Sequence, residues 1–307
     1  MSNTPKLSFL QRVALGTLWT MCRGFAIMPH FVRYGIFANF TYFILCYVLR
    51  YRRKVILDNL HRSFPDYDEK KIMEICRGSY RNLAEQIINT IGQAGISEQE
   101  RLRRMKFTNM DEVCKELNGR SAVMLTAHFG PWEAAGAVSL TTDDHQFVAV
   151  YHQIKSPVFD ELLRRIRQHS NLELVEMKRT MRYFIENIKQ RPLALCLIAD
   201  QNPPKRANIP WYKFLHQWTA FFDGGEMLAT KYQLPVYYFT TRRVKAGYYE
   251  GTFTQIHDGV EPVEPYTITE RYVRHLEQDI IRTPEMWMWT HRRWKKTPPP
   301  ELLAQKI

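Results

Sequence analysis

The chain has few cysteines, and none of them is spaced for a metal site. Its five cysteines are scattered along 307 residues, without a CxxC pair and without metal-ligand spacing relative to the histidines: Cys22, Cys46, Cys76, Cys114 and Cys196. This odd, unpaired set argues for a reducing compartment and against structural zinc. We therefore expect no metal site, and nothing in the sequence calls for a cofactor.

Acidic residues are in the minority, and the sequence contains no internal repeat. The 43 lysines and arginines outnumber the 31 aspartates and glutamates, which gives a formal net charge of +12. The basic residues form clusters at 50–54, 101–106, 164–167, 178–182, 242–245 and 292–296. Such a surface requires an anionic partner, and nucleic acid, anionic lipid headgroups and phosphorylated substrates all qualify.

No hydrophobic run is long enough for a clean single membrane span. The longest uncharged run, Tyr34 to Leu49, would form a helix roughly 24 Å long at about 1.5 Å per residue, against a hydrocarbon core of roughly 30 Å. It can cross a membrane if Arg33 and Arg50 extend to the interface, or it can lie within the interface. A pair of ordinary buried core helices is the alternative.

The composition of the first fifty residues favours membrane association. They are apolar and rich in aromatic residues, no cleavable signal sequence is evident, and the basic block 50–54 closes them. A basic block after an apolar segment favours the cytoplasmic side for the chain that follows. We predict a helical membrane-anchoring or interfacial segment at residues 1–54, followed by one domain at residues 55–307.

Strands alternate with helices in the larger domain. Strands are predicted at 121–127, 146–151, 193–199, 235–241 and 248–256, and helices at 68–91, 111–117, 158–168, 178–190, 224–232 and 269–282. Apolar strands separated by amphipathic helices are typical of an α/β fold. We expect a mixed central sheet flanked by helices.

The segment Ala127 to Glu133 couples an imidazole to a carboxylate at a strand-to-helix corner. Gly130 and Pro131 suit a helix cap and a first helical residue, so we expect His128 at the strand end and Glu133 in the first helical turn. Open α/β sheets bind ligands at that edge. Glu133 could hold one ring nitrogen while the other accepts a substrate proton. A glutamate that only caps the helix is the alternative.

Several blocks of the chain have a distinctive order and spacing. They are Tyr51-Arg52-Arg53-Lys54, Asn59-Leu60, Ser63-Phe64-Pro65, His128-x4-Glu133, 151–168, Ala199-Asp200-Gln201, Phe214-Leu215 and the aromatic and basic tail 284–295. Together they resemble the late acyltransferases of lipid A biosynthesis, which belong to the lysophospholipid acyltransferase superfamily, in a Bacteroidetes-like subtype. One stretch departs from the family pattern, because residues 215–219 lack the usual glycine.

The resemblance implies a glycerolipid acyltransferase-like fold and a membrane-bound enzyme. Such an enzyme transfers a fatty acyl chain from an acyl carrier protein thioester to a hydroxyl of a lipid A precursor, on the cytoplasmic face of the inner membrane. In this reaction His128 would deprotonate the hydroxyl, and Glu133 would orient the ring and stabilise the imidazolium. No acyl-enzyme is required.

Four further polar residues are predicted to bind substrate. The resemblance links an arginine in the helix after residue 151 to anionic substrate, which suits the planar guanidinium of Arg164 or Arg167. Arg164 is also a candidate oxyanion donor, although it could instead pair with Asp160 on a solvated helix face. Asp200 and Gln201 end a strand at the same sheet edge as His128, and Asp200 could instead cap the loop that follows.

The acceptor and the tail leave alternatives open. A lysophospholipid or amino-acid-lipid O-acyltransferase would have the same fold and chemistry, and the residues do not separate these acceptors. A membrane-tethered nucleic-acid-binding protein would fit the basic and aromatic clusters but not the apolar amino terminus, so we expect no nucleic-acid partner. Trp287, Trp289 and Trp294 fit either a packed core edge or a membrane interface.

Overall fold

The structure is a computed structural model that describes residues 7–204 and 209–303. Its strands, in chain order, are β1 Met105–Phe107, β2 Ala122–Thr126, β3 Gln146–Tyr151, β4 Leu172–Glu176, β5 Leu193–Ile198, β6 Trp211–Phe214, β7 Gln217–Ala220, β8 Val236–Lys245 and β9 Tyr248–His257. A seven-stranded sheet has the order β1-β9-β8-β2-β5-β3-β4, and β6 and β7 form a separate hairpin.

The large sheet is mixed, as the sequence predicts. β2 pairs in parallel with β5 and β8, and β3 pairs in parallel with β4 and β5. β8 and β9 form the expected antiparallel hairpin, with Gly247 in the left-handed conformation of its turn. The parallel strands β2, β3 and β5 bring their carboxyl ends to one edge, where an α/β sheet binds ligands.

Helices cover both faces of the sheet. The α-helices are α1 Phe9–Ala26, α2 Phe31–Val48, α3 Arg53–Ser63, α4 Glu69–Ile91, α5 Glu98–Arg104, α6 Met110–Leu117, α7 Pro157–Arg167, α8 Thr180–Asn187, α9 Gly224–Tyr232, α10 Thr267–Arg282 and α11 Pro300–Leu303. Of these, α2 is α-helical at Ala38–Phe43 and π-helical on either side. Short 3-10 helices lie at Ala134–Leu140, Met177–Arg179 and Pro284–Met286.

Side-chain alternation along the strands divides the core into two layers. On β2, Val123 and Leu125 face the layer built with α3, α4, α9 and α10, whereas Met124 faces the layer built with α6 and the 3-10 helix at Ala134–Leu140. Successive strand residues point to opposite faces of a sheet, so each apolar strand contributes to both layers. Both faces are therefore buried, which matches the nearly continuous apolar runs of β2 and β5.

The amino-terminal helices pack on the domain with one side only. Leu15 of α1 packs in one cluster with residues of α7, such as Leu162, and Ala38 of α2 packs beside Ile88 of α4. Within residues 7–204 and 209–303, α2 is the helix long and apolar enough to cross a membrane, judged by length and composition, and 22% of it is buried inside the protein. Its outward side chains include Phe40, 62% exposed. This apolar outer surface is compatible with the interfacial or membrane-anchoring segment predicted from the sequence.

Four strands, three helices and one helix type differ from the sequence expectation, and the three helices that it lacks are α3, α5 and α11. The sequence pattern missed β1, β4 and the β6–β7 hairpin, which are only three to five residues long. The helix expected after Pro131 is a 3-10 helix, Ala134–Leu140. Gly136 lies within it, and a Cβ there would stand 3.3 Å from Leu172. This close approach to β4 accompanies the tighter helical form.

Candidate active site

The candidate site lies where β2 and β5 end. These strands are parallel neighbours, with Thr126 paired in register to Ile198. His128 follows β2 by two residues and Asp200 follows β5 by two residues. The register therefore places the imidazole and the carboxylate side by side, although 72 residues separate them in the sequence.

Three groups bind the Asp200 carboxylate. Nδ1 of His128 lies 2.7 Å from Oδ1. The backbone N–H of His128 donates to Oδ2 at 3.1 Å, and the indole N–H of Trp287 donates to the same oxygen at 2.8 Å. The Asp200 side chain is 2% exposed and that of His128 is 18% exposed. A proton on Nδ1 that faces Asp200 leaves Nε2 as the basic nitrogen of the neutral ring.

The surroundings keep Asp200 ionised. Burial alone raises the pKa of its carboxyl group, but the charge and hydrogen bond of His128, the Trp287 hydrogen bond and the charge of Arg293 together hold that pKa below its ordinary value. Arg293 is 2% exposed, and burial lowers its pKa only to about 10. It is therefore charged at neutral pH. An ionised Asp200 can stabilise an imidazolium that forms on His128.

Glu133 does not make the hydrogen bond to His128 that the sequence pattern suggests. Its carboxylate accepts two hydrogen bonds from Arg167, from Nε at 2.7 Å and from Nη2 at 2.5 Å. The planar guanidinium matches both carboxylate oxygens at once. Asp200, brought in by the strand register, holds the ring in place of Glu133. The two predicted site residues thus belong to separate pairs, His128 with Asp200 and Glu133 with Arg167.

The other predicted substrate-binding residues have different positions. Arg167 lines the cavity beside His128, but Arg164 is not among the residues that line it. Arg164 donates to Glu161 at 3.2 Å, and its expected partner Asp160 instead accepts from a backbone N–H of the preceding loop. Gln201 lies against the imidazole, with its amide nitrogen 3.3 Å from each ring nitrogen.

The carboxy-terminal segment holds the His128 loop through its backbone. Met286 accepts a hydrogen bond from the Gly130 N–H at 2.9 Å, and the Met288 N–H donates to the His128 carbonyl at 3.1 Å. Gly130 has φ +60°, and a Cβ there would stand 2.5 Å from Oγ1 of Thr241. Glycine is therefore needed at this corner. The loop geometry is fixed by residues more than 150 positions away.

Trp287 and Trp289 belong to the core and not to a membrane interface. They are 3% and 1% exposed, and their ring centroids are 4.8 Å apart. Trp287 also packs on Phe214. The role of Trp287 as a donor to Asp200 was not foreseen. The alternation of tryptophans in the tail was the available signal, but it does not identify the partner of the indole N–H.

A large apolar cavity adjoins His128. Its volume is about 690 Å³, which lies within the range of roughly 300–1,000 Å³ found for small-molecule sites. Four neighbouring strands contribute a continuous row to its wall: Met124, Cys196, Ala149 and Leu174. Polar groups on the wall include His128, Glu133, Arg167 and Gln201. The arrangement places an imidazole beside a large apolar space.

Comparisons with known proteins agree with this arrangement. Residues 3–296 match the family of bacterial lipid A biosynthesis acyltransferases. The lipid A biosynthesis lauroyltransferase of Escherichia coli (strain K12) is 22% identical over 315 residues, covering 97% of this chain and 98% of the relative. The lipid A biosynthesis palmitoleoyltransferase of the same organism is 21% identical over 254 residues, 81% of each chain. The chain therefore belongs to the bacterial lipid A biosynthesis acyltransferases and is itself an acyltransferase.

Proposed function

We propose that this acyltransferase transfers a fatty acyl chain from an acyl carrier protein thioester to a hydroxyl of a phosphorylated lipid A precursor. Family membership supports acyl transfer in lipid A biosynthesis. The observation that carries the mechanism is the imidazole of His128, held by a buried carboxylate at the wall of an apolar cavity. The carrier-protein donor is the one that the family resemblance implies.

In the proposed reaction, His128 acts as a general base. Nε2 accepts the proton of the acceptor hydroxyl while the hydroxyl oxygen attacks the thioester carbonyl. Asp200 stabilises the imidazolium that forms. The tetrahedral intermediate then collapses, the carbon–sulfur bond breaks, and the leaving thiolate takes the proton from Nε2. The ester forms without an acyl-enzyme, and the imidazole returns to its neutral form.

Glu133 is proposed to act through Arg167. Its carboxylate occupies Nε and Nη2 of the guanidinium, which leaves Nη1 to bind an anion at the cavity wall. Both side chains are largely shielded, 16% exposed for Glu133 and 23% for Arg167. A fixed cation in a shielded site stabilises a developing oxyanion better than a mobile one. Arg167 is thus a candidate oxyanion donor in addition to a substrate-binding residue.

The apolar cavity is proposed to hold the acyl chain. The row across β2, β5, β3 and β4 lies on the sheet face, and on β2 it is four residues before His128. The polar residues His128 and Gln201 follow the strand ends. A chain whose carbonyl lies at His128 would extend along the sheet toward this row. Side-chain volume in the row would then limit chain length.

The amino-terminal segment is the basis for the proposed orientation of the protein at the membrane. We propose residues 1–54 as the membrane-anchoring segment and residues 55–307 as the catalytic domain, which faces the cytoplasm at the inner membrane. The basic block at 50–54 after an apolar helix supports this orientation. The exposed apolar side chains of α2 support contact with lipid.

Replacement of the general base or its partner is expected to stop transfer. His128→Ala should abolish acyl transfer, and Asp200→Asn should reduce kcat by about 100-fold to 10,000-fold, the usual contribution of acid–base catalysis. Purified variants would be supplied with acyl carrier protein loaded with mixed acyl chains and a lipid A precursor, and the products read by mass spectrometry. Asp111→Asn, an exposed aspartate in α6, is the matched control. Wild-type turnover by Asp200→Asn would contradict the mechanism.

A double-mutant cycle separates two roles for Glu133. If Glu133 acts through Arg167, Glu133→Gln should reduce transfer, and Glu133→Gln combined with Arg167→Gln should be no worse than Arg167→Gln alone. Residues that act as one unit show such non-additive losses. Losses that multiply in the double variant would instead indicate an independent contact of Glu133 with His128 or substrate.

Chain-length preference should respond to the row on the sheet. Ala149→Leu adds side-chain volume inside the cavity, so the products should shift to shorter acyl chains with little loss of total turnover. Val148→Leu, on the opposite face of the same strand and in the core, should change stability but not the product distribution. The readout is the chain-length distribution by mass spectrometry. An unchanged distribution in Ala149→Leu would place the acyl chain elsewhere.

A further inference from the structure

A second cavity lies apart from the apolar cavity beside His128, between α4 and the end of α10. Its volume is about 640 Å³. The charged residues that line it are four cations and two carboxylates: Lys71, Arg77, Arg81, Arg282, Glu74 and Glu285. We call this site the basic groove. Its formal charge is +2, four positive charges less two negative ones.

Two of the cations in the groove have no acidic partner among the described residues. Nζ of Lys71 lies 3.1 Å from Glu74, and Arg282 lies 3.4 Å from Asp279. Over the ranges that the structure describes, Arg77 and Arg81 make no ion pair. They are one turn apart on α4 and both exposed. Like charges at this spacing repel each other and destabilise a helix. An anion bound between them would remove that repulsion.

The groove borders α2, the helix proposed above to contact lipid. The guanidinium carbon of Arg81 lies 5.0 Å from the ring centroid of Tyr42 in α2. The next residue, Phe43, is 52% exposed, and Tyr47 is 51% exposed. Tyrosine rings such as those of Tyr42 and Tyr47 are enriched at the level of lipid headgroups in membrane proteins. Arg77 and Arg81 therefore lie beside an exposed apolar surface, and if α2 anchors the protein, the anions within their reach are headgroup phosphates.

The groove also shares a wall with the catalytic loop. A Cβ at Gly78 would stand 2.8 Å from the Glu285 side chain, so α4 packs closely on the segment Pro284–Met286. The Met286 carbonyl in this segment accepts hydrogen bonds from the Asn82 side chain of α4 and from the Gly130 N–H of the His128 loop. A lipid held in the groove is thus separated from the His128 loop by one stretch of chain.

We propose that the basic groove binds the phosphate of a membrane lipid, with Arg77 and Arg81 as its ligands. The planar guanidinium groups suit phosphate oxygens, which they bind with charge-assisted hydrogen bonds. The phosphate belongs either to the acceptor, in which case the inference rests on the proposed function, or to a phospholipid of the surrounding membrane. Both sources present the same chemistry to the two arginines.

Lipid retention by the full-length protein tests the groove directly. Native mass spectrometry in detergent micelles would compare retention of phosphatidate with that of diacylglycerol, which lacks the phosphate. Wild type should prefer phosphatidate by about tenfold, as expected for charge-assisted contacts, and Arg77→Gln/Arg81→Gln should lose the preference. Lys106→Gln/Lys115→Gln, which removes two exposed charges on β1 and α6, should keep it. An undiminished preference in the groove variant would overturn the proposal.

Kinetics of the same variants distinguish the two sources of phosphate. If the groove binds the acceptor, Arg77→Gln/Arg81→Gln should raise KM for the phosphorylated acceptor and leave kcat and the KM of its dephosphorylated form unchanged. If it binds a membrane phospholipid, both KM values should stay at the wild-type level while phosphatidate retention falls. Failure of the proposed function would appear differently, as no transfer by the wild-type protein, whatever the lipid retention.

Discussion

The buried carboxylate of Asp200 is the interaction on which the site depends. It joins three parts of the chain: the loop after β2 through His128, the loop after β5, and the carboxy-terminal segment through Trp287. A buried charge without partners would be costly, so all three segments must be in place for the carboxylate to be stable. The charge of Arg293 assists from the buried side. The orientation of the imidazole is thus tied to the packing of the whole domain.

The arginines of this basic chain lie in different environments. Arg167 is paired at the cavity wall, Arg293 is buried near Asp200, and Arg77 and Arg81 are exposed beside α2, whose outer side chains are apolar. The positive net charge alone is compatible with nucleic acid as the anionic partner. The distribution of these cations around an apolar cavity and an apolar helix instead fits an enzyme whose acceptor is a lipid, which agrees with its family.

Local patterns predicted the elements, but tertiary pairing set the site. β3 and the helix Gly224–Tyr232 were predicted to the residue, because apolar runs and turn residues mark their ends. His128 and Asp200 were correctly placed at strand ends. Their contact was not foreseen, since it depends on the register of β2 against β5. The spacing of Glu133 from His128 suggested a hydrogen bond between these two side chains. The structure differs because Arg167, at the end of α7, donates to both carboxylate oxygens of Glu133.

Nitrogen NMR of the imidazoles tests most directly whether Asp200 holds His128. Selective ¹⁵N labelling would report all ten histidines, and the signal missing from His128→Gln identifies the ring. We expect wild type to carry a hydrogen-bonded proton on Nδ1 of His128, Asp200→Asn to lose or strongly shift its signal, and Glu133→Gln to leave it nearly unchanged. A His128 signal that is disturbed by Glu133→Gln and insensitive to Asp200→Asn would contradict the account.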